Sequence, residues 1–185
     1  LSLRRQRQMC IRDSMTTIYF VGMTALSVVF YVPVHKLVLR FGKKRLLVFA
    51  FAIFACAYFY TGFLGTFSRI SPVVQGGILT AGAALPMAIF GILPQAVVAD
   101  IAQSDALVSG QNREGMFYAA RTFAFKLGQS LSMLLFTAVS TIGQSVGTGY
   151  RMTAFCAAAF CVAGGILFLL YDEGKINKLI REEEK

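Results

Sequence analysis

Five apolar stretches, each close to or longer than twenty residues, constrain this chain more than any other feature: about 15–34, 46–65, 73–99, 116–142 and 152–171. The hydrocarbon core of a bilayer is about 30 Å thick, and a helix rising 1.5 Å per residue needs roughly 20 apolar residues to cross it. Lipid offers backbone N–H and C=O groups no partner, so a crossing segment must satisfy them internally, and these runs are far too long for barrel strands. The expectation is an all-α integral membrane chain of five transmembrane helices. The third and fourth are long enough to tilt or to extend into water. Composition agrees, with 56% hydrophobic and 15% charged residues, where a soluble domain has roughly 45–50% and 25%.

The net charge of +9 does not point to nucleic acid, because Lys and Arg fall between the apolar runs and form no stripe on one face. Their distribution sets orientation instead. The first connection carries Lys36, Arg40, Lys43, Lys44 and Arg45, the third Arg113, and the tail Lys175, Lys178, Arg181 and Lys185. The opposite side has Arg69 and Arg151. Basic residues are retained on the cytoplasmic side, so both of these connections and the C-terminus are expected there, in a multi-pass protein of the cell (inner) membrane. The start of the first helix then lies outside, as in a chain cut from a longer one with helices missing upstream.

Residues 1–14, LSLRRQRQMCIRDS, lack the apolar centre of a secretory signal. The stretch RQRQMCIRDS resembles translated sequencing-adapter read-through, so 1–14 is set aside as a non-native leader. Residues 15–171 form the five-helix body, and 172–185 a cytoplasmic tail whose Ile176, Leu179 and Ile180 share one face of an amphipathic helix. The third run contains Pro86 and Pro94 among several glycines, which bends a helix and serves either a hinge or plain packing. Gly77 with Ala81 and Ala154 with Ala158 have the spacing for close helix approach. Cys56, Cys156 and Cys161 lie in apolar runs without metal-ligand spacing and read as small buried residues.

Lys126 resists a purely structural reading. It stands eleven residues into the fourth run among Phe123, Ala124, Phe125 and Leu127, where a basic side chain costs roughly 2.5–3.5 kcal/mol at mid-membrane. Such a cation normally faces a protein interior or watery cavity and has a partner. Thr122, Gln129, Ser130 and Ser132 continue a polar strip around it. Between residues 15 and 171 the acids are Asp100, Asp105 and Glu114, all at or beyond the inner end of the third run. The counter-charge must therefore come from another segment, or the amine must be uncharged.

No catalytic set is present. His35 has no nucleophile or metal spacing around it and reads as interfacial, and Gly143, Gly147 and Gly149 lack the strand and lysine of a phosphate loop. Arg113 and Glu114 open the fourth run, where capping and gating are equally served. Neither an enzyme nor a cofactor is expected.

The stretch ADIAQSDALVSGQNREGMFYAARTFAFKLG, 99–128, carries Ala99–Asp100, Asp105, Arg113–Glu114–Gly115 and Lys126-x-Gly128 without a gap. It resembles the segment joining helices ten and eleven of the glycoside-pentoside-hexuronide cation symporters, the melibiose-permease-like branch of the major facilitator superfamily. LVLRFGKKRLL, 37–47, resembles the basic loop between helices eight and nine. The resemblance implies that the five runs are helices eight to twelve of twelve. It places Lys126 and Thr122 in the cavity between two bundles, with Gln129 beside them, near the sugar and cation sites. It also implies that the cation-site carboxylates belong to an N-terminal half absent from this sequence. Gln103 and Ala106 stand where many members have acids, which reduces the inner charge network, and Arg121 adds positive charge near the inner mouth.

The function implied is the C-terminal part of a sugar or glycoside symporter, coupled to H⁺ or Na⁺ and working by alternating access. Its expected partners are a small-molecule substrate, the missing helices and the bilayer. Asp100, Asp105, Arg113, Glu114, Arg40 and Lys43 are expected as helix-end and gate charges. A non-transporting membrane scaffold, or a lipid-type transporter of the same fold, remains the alternative.

Overall fold

The computed structural model describes residues 2–63, 71–142, 148–174 and 176. Five helices follow in chain order: α1 (Ser2–Phe41), α2 (Lys43–Gly62), α3 (Pro72–Ser109), α4 (Glu114–Ser140) and α5 (Thr148–Leu169). Among the described residues there is no strand. The segments long and apolar enough to cross a membrane are Thr17–Phe41, Lys43–Gly62, Val73–Ser109, Glu114–Ser140 and Thr148–Leu169.

The count of helices matches the apolar runs, but their ends do not. Pro33 and His35 sit inside α1, which continues through Arg40. The helix stops only at Gly42, where φ of 82° turns the chain into α2. Likewise α3 runs beyond Ala99 to Ser109 and passes through Pro86 and Pro94 as one element. It ends at Gly110, whose φ of 66° lets its N–H bond to Ala106 O at 2.9 Å, a left-handed glycine cap. Hydropathy marks where a chain leaves lipid; a helix ends where its backbone is turned.

Lipid tails are as apolar as leucine, so helices in a bilayer associate through close packing rather than escape from water. α2 accordingly lies against α5 and α3, α1 lies against α3, and α4 meets α3 and α5 over less surface. Ala154 and Ala158 are buried, as their spacing predicts. The Phe51 ring lies over Gly164 and Gly165, and Phe155 lies over Gly62. Phe51 also meets Phe90 of α3 edge-on, with centroids 4.6 Å apart. Gly77 instead faces open space and Ala81 is exposed, so that pair does not pack here. Its neighbour Gly76 receives the Tyr19 ring, whose hydroxyl donates to Val73 O at 3.1 Å.

The tightest core joins Val34, Leu46, Leu47, Ala50, Ala88, Ile89, Leu93 and Val97, with Phe168 and Tyr171 packed against it. It lies at the end of the molecule where α1 passes into α2. α4 contributes no buried residue. Cys56 and Cys156 are exposed and Cys161 half-buried, which corrects the expectation of burial: Cys56 and Cys156 occupy faces that their helices turn outward. Of the tail face, Ile176 is helical, while Leu179 and Ile180 lie outside the described residues.

Candidate functional site

Two groups of polar residues stand out, one along α4 and one at the junction of α1 and α2. On α4, Thr122, Lys126 and Gln129 recur at spacings of four and three residues and so share one face. All three are exposed. The Thr122 hydroxyl donates to Tyr118 O at 2.8 Å and Ser132 to Gln129 O at 2.9 Å, which satisfies each hydroxyl proton within the helix and leaves oxygen lone pairs outward. Among the described residues no carboxylate pairs with Lys126. Arg121 is half-buried and, at 100° per residue, stands about 140° around the helix from Lys126. The two cations therefore do not share a face.

At the other group, the expected helix-end charges separate. Lys43 Nζ pairs with Asp100 Oδ2 at 2.5 Å, the side chains being 26% and 18% exposed. Arg113 bonds Gln111 Oε1 through Nε at 3.1 Å and Nη2 at 2.7 Å. The Glu114 N–H donates to Asn112 Oδ1 at 3.2 Å, so Arg113 and Glu114 serve the α4 start. Arg40 lies over the ring of Phe41 at 5.7 Å. Asp105 is half-buried and forms no ion pair among the described residues. Only Lys43 and Asp100 of the expected set are brought together.

Two residues not singled out from sequence complete this junction. α2 begins after Gly42, which has no side chain to cap it, and has no acid in its first turn. Glu173, just beyond α5, supplies the missing acceptor. One carboxylate oxygen takes the Lys43 N–H at 2.8 Å and the other takes the Lys44 N–H at 2.9 Å. The arrangement satisfies two of the orphan donors of the helix and sets negative charge at its positive end. Tyr171 lies beside it, its ring stacked on Phe168 with centroids 5.3 Å apart. Burial first, then Asp100 and Glu173, push its phenol up to about 12. The available signal was an uncapped helix start together with Tyr171 at the end of the fifth run and Asp172 and Glu173 just after it.

Five helices long and apolar enough to cross a bilayer, one of them carrying Lys126 on a face that no other described helix covers, are the architecture of a multi-pass membrane protein. The family model described as MFS/sugar transport protein matches residues 10–171. The chain belongs to that family, and its class is therefore a membrane transporter of the major facilitator type. No curated protein and no solved structure matches it.

Proposed function

We propose that the chain forms helices eight to twelve of a twelve-helix sugar or glycoside symporter, driven by H⁺ or Na⁺ and working by alternating access. The observation that carries this reading is Lys126, a cation with no described carboxylate partner, on a face of α4 that no other described helix covers. A charge held in a membrane helix faces a cavity or a partner. In this reading the exposed face of α4 meets helices outside this sequence, which provide the carboxylate. Lys126 hydrogen-bonds substrate and senses the coupling ion, with Thr122 and Gln129 as neighbouring polar contacts. The excess of Lys and Arg in the first and third connections and the tail favours a cytoplasmic C-terminus in the inner membrane.

The test is uptake by the protein that carries this chain, reconstituted in vesicles with an imposed H⁺ or Na⁺ gradient. Lys126→Ala is expected to lower gradient-driven uptake by roughly ten-fold or more, about 1.4 kcal/mol in the rate-limiting barrier. Unchanged uptake by a folded Lys126→Ala protein removes the proposed role. Lys126→Arg separates charge from shape, because a planar guanidinium cannot replace a compact ammonium in a tight site.

A further inference from the structure

The start of α2, the Asp100 turn of α3 and the chain just beyond α5 meet beside a hydrogen-bond donor that no described group uses. Asp100 Oδ2 accepts from Lys43 Nζ, while both Glu173 oxygens accept from the start of α2. The Tyr171 hydroxyl lies near enough to both carboxylates to feel their charge; it is buried and, among the described residues, has no hydrogen-bond partner. A buried donor left unsatisfied keeps the full penalty of its desolvation. Here the idle donor sits near carboxylates that have acceptor capacity to spare, since an ionised carboxyl offers about four lone-pair sites.

The four residues differ in what holds them. The Tyr171 ring is stacked on Phe168 and packed against the core of Val34, Leu47 and Leu93. Asp100 projects from the continuous helix α3. Glu173 grips the backbone at Lys43 and Lys44. The Lys43 ammonium alone sits on a long flexible stem, and its side chain is 26% exposed, so it is the member free to leave.

We infer that Tyr171 is a stand-by donor to Asp100: when the Lys43 ammonium swings away, the phenol takes its place, and Glu173 keeps the backbone of α2 unmoved. The junction then has two satisfied hydrogen-bonding states on one backbone. A cation can be released to the inner face without leaving a half-buried carboxylate bare. This inference holds whatever substrate the chain serves.

A double-mutant cycle on the full chain, purified from membranes into nanodiscs and followed by thermal unfolding, tests the exchange. With Lys43 present, Tyr171→Phe is expected to leave the melting temperature unchanged or raise it, because only an idle hydroxyl is lost. In a Lys43→Met background, where the phenol is the donor left to Asp100, Tyr171→Phe is expected to lower it. This reversal of sign is the signature, since a ring that merely packs gives the same change in both backgrounds, and that result overturns the inference. Lys43→Ala provides a second background. Failure of both Lys43 variants to fold also overturns it, because the phenol would then have failed to substitute.

Discussion

Glu173 caps a helix that starts 130 residues before it in sequence, its Oε1 accepting the N–H of Lys43 at 2.8 Å. The contact ties the chain beyond α5 to the turn between α1 and α2. It explains why the turn residue is glycine: a Cβ on Gly42 would lie 3.2 Å from Glu173 Oε2, at a φ of 82° that L side chains rarely adopt.

Loss of the cap has a measurable cost. Glu173→Ala is expected to destabilise the folded chain by about 0.5–2 kcal/mol, the range for removing a helix N-cap. Amide exchange should accelerate at Lys43 and Lys44 more than at Leu46 and Leu47. Gly42→Ala is expected to cost about 1–3 kcal/mol through backbone strain. Equal melting temperatures for the wild type and Glu173→Ala would show that the cap contributes nothing.

Alkaline pH should weaken the same junction. The Tyr171 phenol is raised from 10.0 to about 12, by burial before the nearby carboxylates. Between those values the unfolded chain has lost its phenolic proton and the folded chain retains it. The unfolded state therefore binds fewer protons and stability falls as pH rises. Tyr171→Phe is expected to make the decline between about pH 10 and 12 shallower. Identical slopes for the two proteins would contradict the assignment.

Gly149 joins α5 to the end of α4. A Cβ there would lie 2.5 Å from Ile142 O, 2.6 Å from Val139 O and 2.7 Å from Ser140 O. These are backbone atoms that cannot turn aside, so Gly149→Ala is expected to destabilise by about 1–3 kcal/mol through overpacking. Gly77 is the contrasting position, with nothing within 4 Å. Gly77→Ala should stabilise α3 by about 0.5–1 kcal/mol by restricting the unfolded backbone. Chemical denaturation of both variants in one detergent gives the comparison.

The polar face of α4 can be mapped by labelling. In a background lacking Cys10, Cys56, Cys156 and Cys161, cysteines placed at Thr122, Lys126 and Gln129 are expected to react with a charged, membrane-impermeant maleimide. Cysteines at Ala124 and Leu131, about 180° around the helix from this face, should react slowly. Equal rates at all five positions would mean that α4 has no water-facing stripe.

Much of the architecture is legible in the chain before any packing is known. Each apolar run becomes a helix because lipid permits little else, and Ala154 with Ala158 packs as its spacing predicts. The boundaries were less legible. Pro33 and the basic residues after it look like a connection, yet helix α1 continues to Phe41 because the backbone stays helical until Gly42 turns it. Gly77 and Ala81 had the same signature as Ala154 and Ala158 but face outward, since spacing identifies a smooth helix face and not the neighbour it meets.

The charges flanking the apolar runs divide in the same way. Residue order alone places Lys43, Asp100, Arg113 and Glu114 near one membrane face, because each flanks an apolar run and runs alternate in direction. Which of them touch depends on rotation and approach of the helices, quantities set by side-chain packing far along the chain. Lys43 reaches Asp100 while Arg113 turns to Gln111. Glu173 and Tyr171 acquire their roles only because α5 packs against α2 and carries them to its uncapped start. Transfer into lipid is decided segment by segment, so local composition suffices to foretell it. A hydrogen bond acts over about 3 Å, so its partners are known only when distant segments have been brought into register.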